Sequence, residues 1–360
     1  VPGLILAGDP VPDVALHPGV DLFVRTVDAY RAIAVSPLGR ALTRPRPVRR
    51  TGFDQDLVVH DLRLEAEGVI SLTLRAPDWS TLPFWRPGAH LDVFLPSGRQ
   101  RQYSLCGDPD DPTRYRIAVR RIEDGGGGSR EVHDDITVGD QLTVRGPRNA
   151  FRIAPASGYL FVAGGIGITP ILPMVRTAHR QGVPWRLIYT ARSRASMPFL
   201  DELARYRSGE VVVLPDDEHG IPDVAALVDG VAEGHATYLC GPPQMAAAAH
   251  RALAARGGRS ELHTERFSAR PVVDGTEFTA RLARTGTSVT VAADETLLAA
   301  VRRARPDVTY SCQQGFCGTC KVAVLSGDVD HRDTTLLDSQ RPDSMLVCVS
   351  RGTGELVLDL

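Results

Sequence analysis

The sequence has no apolar run of ~18 residues or more, so no membrane-spanning helix is expected. It also lacks an excess of either charge. Its 41 Lys and Arg stand against 43 Asp and Glu, a net charge of −2. That balance offers no basic field to nucleic acid and no polybasic patch to a membrane surface. The opening stretch, VPGLILAGDPVPD, has no basic segment leading into an apolar one, so it does not read as a secretory signal. Cysteine is scarce, at six residues in 360, which excludes a disulfide scaffold. Four of the six fall in the last 50 residues. That uneven use points to a metal or redox site in a reducing, cytoplasmic setting.

What is present is the composition of globular domains, with 43% hydrophobic and 23% charged residues. A length of 360 residues suggests two or three domains, each with its own core. Residues 1–50 read as an extension. Apolar spacing predicts one amphipathic helix over Val20 to Val35, and RPRPVRR at 44–50 reads as a linker. Residues 51–154 hold six short runs, among them VISLTLRAP, HLDVFLP, RQYSLCG and YRIAVRRI, with β-branched residues and Gly, Pro or Asp between them. Such spacing predicts a closed or nearly closed antiparallel barrel. Residues 155–270 change rhythm. Strands YLFVA, WRLIYT, VVVLP and ATYLC alternate with helices PILPMVRTAHRQG, MPFLDELARYR, IPDVAALVDGVAEG and PQMAAAAHRALAARG. That order predicts a doubly wound parallel sheet. Residues 275–360 read as a small α+β domain, with strands FTARLAR, SVTVAA, KVAVLSGDV and ELVLDL around the helix ETLLAAVRRAR.

The last domain carries SCQQGFCGTC. Cys312, Cys317 and Cys320 follow C-x4-C-x2-C, and Cys348 comes after a gap of 27 residues. Structural zinc sites favour two C-x2-C pairs. This spacing instead matches a plant-type 2Fe–2S cluster, a one-electron carrier near −400 mV for the class. Gly315 and Gly318 let the loop take unusual dihedrals close to the cluster, and Thr319 with nearby amides can donate hydrogen bonds to sulfur.

Two other constellations involve nucleotides. In RQYSL, Arg101 can neutralise a phosphate, with Gln102 beside it. Tyr103 can lie against an isoalloxazine ring, and Ser104 can reach its N5 edge. Gly127, Gly128 and Ser129 offer N–H groups and a hydroxyl as a phosphate nest. In YLFVAGGIGITP, Gly164, Gly165 and Gly167 open a helix, where a pyrophosphate is favoured, and Thr169 follows. This is not G-x-G-x-x-G, and no acid ends the second strand. That strand ends TARSR, so Thr190, Arg192, Ser193 and Arg194 are candidates for an adenosine ribose or a 2′-phosphate. CGPPQM places Cys240, Gly241, Pro242 and Met245 at the ligand-binding edge of the sheet, although Cys240 taken alone reads as a buried core thiol.

In this order, RQYSLCGDP, GGSREVHD, GPRNAF, AGGIGITP, CGPPQM and SCQQGFCGTC…DHRD…CVSR resemble the phthalate dioxygenase reductase family, a branch of the ferredoxin–NADP reductase superfamily. The resemblance covers residues 52–360. It implies three domains: an antiparallel β-barrel for the flavin, an α/β doubly wound nucleotide domain and an α+β plant-type 2Fe–2S ferredoxin domain. It implies FMN rather than FAD, and NADH rather than NADPH, although Ser193 and Arg194 leave that choice open. By resemblance, Arg101, Tyr103, Ser104 and Ser129 hold the flavin, and Gly165, Thr169 and Thr190 hold the nucleotide. Cys240 lies near the nicotinamide, and Phe267 in TERF packs near the flavin. The expected function is that of a monomeric reductase feeding a separate terminal oxygenase, either a Rieske protein or a haem-thiolate monooxygenase. Aromatic hydroxylation and O-demethylation are typical of such partners. A stand-alone quinone or ferric reductase is the alternative, and a slow flavin-binding sensor is a third reading from another class.

Overall fold

The computed structural model describes residues 54–360, apart from 125, 230, 256–260, 268 and 270. The extension at 1–50, with its expected helix, lies outside the described residues. The first sheet comprises β1 (Asp54–Ala66), β2 (Val69–Arg75), β3 (Ala89–Phe94), β4 (Gln100–Ser104), β5 (Tyr115–Arg120) and β6 (Gln141–Asn149). Its order is β4-β3-β6-β1-β2-β5, with every pairing antiparallel. A bridge between Leu105 and Ile117 joins the two edges, so the sheet curls into a nearly closed barrel. Alternation along the strands fills its interior with Leu72, Leu74, Leu91, Val93, Ile117, Val119, Leu142 and Val144.

Two outer faces of the barrel are covered. On β5, Arg116 and Ala118 point away from the barrel core. Ala118 joins one hydrophobic cluster with Phe161 of the next sheet and with Ile168 and Leu172 of the helix that follows that strand. Arg116 pairs with Glu202 at 2.7 Å and lies over the Phe199 ring. The barrel and the nucleotide sheet therefore share a core. On β3, the outward residues His90 and Asp92 are also buried, at 6% and 0% exposure, because the cysteine-bearing domain packs over them.

The second sheet is parallel, in the order β11 (Glu261–Glu265), β10 (His235–Cys240), β7 (Gly158–Gly164), β8 (Trp185–Ala191), β9 (Glu210–Pro215). Two full helices accompany it. These are numbered after α1 (Gly128–Asp134) of the barrel: α2 (Ile168–Gln181) and α3 (Pro243–Ala255). Central β7 is buried along its whole length, as a strand covered on both faces must be. Two expected helices are shorter than their apolar spacing suggested, with single turns at Leu200–Leu203 and Val224–Leu227. Strand β11 was not expected. Its half-buried ELHTE lacks the apolar run that marks the other four.

The third sheet holds β12 (Phe278–Leu282), β13 (Thr287–Val291), β14 (Lys321–Asp330), β15 (Ser344–Leu346) and β16 (Arg351–Leu358), with α4 (Leu297–Ala304) packed on it. Its core cluster draws on residues 278–358 alone. The sheet completes the three-domain architecture of barrel, doubly wound domain and ferredoxin.

Candidate functional site

Strand β4 organises the site. Arg101, Gln102, Tyr103 and Ser104 border a cavity of about 270 Å³. Gly128 and Ser129 border it from α1, Arg120 from β5, Ile166 and Thr169 from the nucleotide domain, and Phe267 from the stretch after β11. The fit to a flavin phosphate is tested by Arg101. It donates to the carbonyls of Gln100 (2.8 Å) and Gly126 (2.7 Å) and pairs with no carboxylate among the described residues. A Cβ at Gly128 would lie 2.5 Å from Arg101 Nε, so glycine keeps the guanidinium against this loop. Ser129 Oγ accepts from the Ile122 amide at 3.1 Å and closes the loop. Ser104 is buried, yet its hydroxyl has no hydrogen-bond partner among the described residues and is free to donate to a ligand. Burial pushes the Tyr103 phenol up to about 12, so the ring stays neutral. Phe267 is 54% exposed and presents a bare ring to the cavity. These features fit a flavin mononucleotide.

The nucleotide candidates gather at the C-terminal edge of the parallel sheet. Glycine serves there for packing as well as for any ligand. A Cβ at Gly167 would meet the Cys240 carbonyl oxygen at 2.1 Å, and one at Gly164 would meet Pro242 at 2.7 Å. The two loops thus lock together, with Met245 and Gly241 beside them. Gly165 takes a left-handed φ of 56°. Its missing side chain faces only Arg120, at 3.8 Å. Thr169 donates to the Ile166 carbonyl at 2.9 Å, and Thr190 to Ala163 at 3.4 Å. Cys240 is buried and does not border the cavity. Burial, then the neighbouring Glu265, pushes its thiol well above the ordinary range. Ser193 is tied into a small turn with Ser196. Arg194 is engaged by Glu218 in a two-pronged pair, at 2.9 and 2.8 Å.

Two residues escaped the sequence reading. Arg120 faces Arg192, and burial together with that like charge holds its guanidinium below the usual value. Neither side chain has a carboxylate partner among the described residues, so the pair is open to an anion. Glu265 lies opposite Cys240 in the β10–β11 register, two residues before Phe267. Burial pushes its carboxyl up to about 8. No motif marks either one. A strand-ending arginine and a strand-ending glutamate look like ordinary surface charges until the neighbouring chain covers them.

The four cysteines converge. The Cys312 thiol interacts with those of Cys317 and Cys348, and the Cys320 thiol with that of Cys348. Among the described residues no group of three or more ligand-type side chains is arranged to hold a single metal ion. Four thiols brought together by one loop and Cys348 fit a two-iron cluster, the donor set such clusters use. The loop turns through left-handed Gln313, Gly315 and Gly318, with φ of 52°, 82° and 72°. A Cβ at Gly315 would also strike Val349 at 2.7 Å. The Gln314 amide donates to Cys312 Sγ at 3.3 Å, and Thr319 Oγ1 lies 3.3 Å from Cys317 Sγ. The DHRD stretch acts as a brace. Asp333 accepts from the amides of Thr335 (3.1 Å) and Leu336 (2.8 Å), and Thr335 donates to the Phe316 carbonyl at 2.7 Å.

Comparison with known proteins bears on both ends of this arrangement. Residues 280–353 match the 2Fe-2S iron-sulfur cluster binding domain, and residues 161–251 match the oxidoreductase NAD-binding domain. The phenoxybenzoate dioxygenase subunit beta of Ectopseudomonas oleovorans is 41% identical, over 84% of this chain and 97% of its own length. The phthalate dioxygenase reductase of Burkholderia cepacia is 38% identical, over 82% and 94% respectively. A solved phthalate dioxygenase reductase matches with a TM-score of 0.64 and 36% identity, covering 86% of this chain and 98% of that one. An intact type IV self-sufficient cytochrome P450 monooxygenase matches with a TM-score of 0.67 and 38% identity, covering 91% of this chain. This chain spans only 45% of that protein.

Proposed function

Because the chain belongs to the phthalate dioxygenase reductase family, we propose that it is the reductase component of an oxygenase system, taking electrons from NAD(P)H and delivering them to a separate terminal oxygenase. It is an NAD(P)H-dependent flavin iron–sulfur oxidoreductase. The observation that carries this reading is the position of β4. One face borders the flavin cavity with the nucleotide domain, while Gln102 on the same strand bonds to Ser311, next to Cys312. Bound FMN and a 2Fe–2S cluster together supply the conversion of a two-electron hydride donor into single electrons. The protein's part is placement. Arg101, Gly127, Gly128 and Ser129 would hold the flavin phosphate, with Tyr103 and Phe267 against the ring and the free hydroxyl of Ser104 at its polar edge. Arg120, Arg192 and the Gly165 turn would receive the phosphates of the pyridine nucleotide. Cys312, Cys317, Cys320 and Cys348 would hold the cluster. The partner is read as a Rieske or haem-thiolate oxygenase. A cytoplasmic setting is proposed from the scarcity of cysteine and its gathering in one redox loop.

The test is an anaerobic titration with NADH, followed by absorbance, with the extracted flavin identified by chromatography. Flavin and iron–sulfur bands should bleach together and FMN should be extracted. A colourless protein, or one that bleaches only in its flavin band, would overturn the reading.

A preference for NADH follows from Glu218, which occupies the arginine best placed for a 2′-phosphate. Replacing Glu218 with glutamine should free Arg194 beside Arg192 and lower KM for NADPH with kcat unchanged. The pair is exposed and screened by solvent, which limits the gain to about fivefold. Steady-state KM for both nucleotides checks this; an unchanged NADPH:NADH ratio would place the 2′ position elsewhere.

A further inference from the structure

Asp92 sits on the outer face of β3 with 0% exposure. A fully buried carboxylate is costly unless it is paired and hydrogen-bonded. Its partners come from three places. Oδ2 accepts from Arg148 on β6 at 2.9 Å. Oδ1 accepts from Gln102 of β4 at 2.8 Å and from the Ser311 hydroxyl at 3.1 Å. Gln102 Nε2 also donates to Ser311 Oγ at 2.7 Å. Gln102 therefore borders the flavin cavity but uses its side-chain amide in the opposite direction, on the cysteine loop. The same Arg148 nitrogen donates to Thr319 Oγ1 at 3.1 Å, and that oxygen lies 3.3 Å from Cys317 Sγ.

We propose that the Asp92–Arg148 pair is a positioning device of the barrel that acts through Thr319 to set the reduction potential of the cluster in the neighbouring domain. Asp92 fixes the Arg148 guanidinium. Arg148 donates to the Thr319 oxygen and so polarises its O–H bond. A cysteine thiolate on iron has no proton to give, so at Cys317 the Thr319 hydroxyl is the donor. A polarised donor is a stronger one, because hydrogen bonds in a chain reinforce each other in a low dielectric. Donation to the sulfur favours the more negative, reduced cluster and raises its potential. The charges of Asp92 and Arg148 offset each other, so the effect travels through the hydroxyl and not through net charge. The flavin-side domain thereby takes part in setting the driving force for the electron it supplies.

The inference rests on the four cysteines holding the cluster, which the reduced wild-type holoprotein reports separately by its electron paramagnetic resonance signal. Absence of that signal would defeat the cluster assignment itself. The test is a potentiometric titration of the cluster in wild type, Thr319→Ser, Thr319→Val, the pair variant Asp92→Asn/Arg148→Met, and the triple variant with Thr319→Val. Both partners are changed together because Arg148→Met alone would strand a buried carboxylate. Thr319→Val and the pair variant should each lower the reduced-to-oxidised ratio at fixed potential about tenfold, a shift of about −59 mV for one electron. Thr319→Ser should keep the wild-type potential, and the triple variant should shift no further than Thr319→Val alone. An unshifted potential in Thr319→Val, or an additive shift in the triple variant, would overturn the proposal. If the pair variant does not load iron, an unshifted potential in Thr319→Val still overturns the proposal, and a shift in Val but not in Ser supports its last step, from the Thr319 hydroxyl to Cys317.

Discussion

Cys348→Ala is expected to abolish cluster loading, with loss of the iron–sulfur absorbance and of the resonance signal, while NADH still bleaches the flavin band at a rate within about twofold of wild type. The expectation follows from how the cores divide. Cys348 is buried in the cluster of residues built from 278–358, behind β15 and against α4, where the Val347 carbonyl accepts from the Leu298 amide at 2.8 Å. That core contains no residue of the barrel or of the nucleotide sheet. The barrel and nucleotide domain instead share one cluster, through Val69, Cys106, Ala118 and Phe151. Disorder around a lost ligand has no apolar route into the flavin cavity. Transfer to a one-electron acceptor that needs the cluster should fall to background. Anaerobic stopped-flow absorbance with NADH checks the pair of outcomes. Loss of flavin reduction together with the cluster would mean that the ferredoxin core supports the cavity.

The unequal legibility of the site has a physical origin. The cysteine loop could be read because its ligands lie within nine residues of one another, apart from Cys348, and because metal spacing is a local constraint. The barrel strands could be read because alternation is local too. In HLDVF it places Leu91 and Val93 in the barrel and His90 and Asp92 outside. Alternation cannot say what covers the outside. The hydrogen bond between Gln102 and Ser311 spans 209 positions of sequence, and the one between Arg148 and Thr319 spans 171. The same holds for Arg194, read as a candidate for an adenosine ribose or a 2′-phosphate, whose partner Glu218 arrives on the turn after β9. In MPFLDELARYR the apolar residues Met197, Phe199 and Leu203 are buried as their spacing implies. The backbone between them is a single turn that begins after left-handed Phe199, with φ of 67°, and Glu202 in that turn pairs with Arg116 and Arg176, both distant in sequence. Local pattern reports which side chains are buried. Partners distant in sequence decide what the buried polar groups do.

Glu265→Gln is expected to stabilise the protein progressively as pH rises from about 5 to about 8. Glu265 ends β11 as a half-buried residue, but its Oε2 is wholly shielded and has no hydrogen-bond partner among the described residues. Burial raises its carboxyl from 4.5 to about 8, so the folded protein holds this proton at neutral pH while the unfolded chain releases it. Between those two values the folded state binds more protons. The stability this group contributes is therefore fully present below 4.5 and is lost as pH climbs through about 8. The loss runs at about 1.4 kcal/mol per pH unit inside the window, and glutamine has no such charge to suppress. Urea unfolding of wild type and variant at several pH values should give nearly equal stabilities near pH 5 and a widening gap in favour of glutamine up to about pH 8. A gap that stays constant with pH would mean that Glu265 ionises normally and that its oxygen finds a partner. The position matters for function as well as stability. On the reading, taken from the family resemblance, that Cys240 lies near the nicotinamide, a neutral carboxyl opposite Cys240 and two residues from Phe267 would keep that neighbourhood uncharged. Ionised, it would bring a negative charge toward the site where NAD(P)H gives up hydride. Flavin reduction in wild type should therefore change through an apparent pKa near 8 that the glutamine variant lacks.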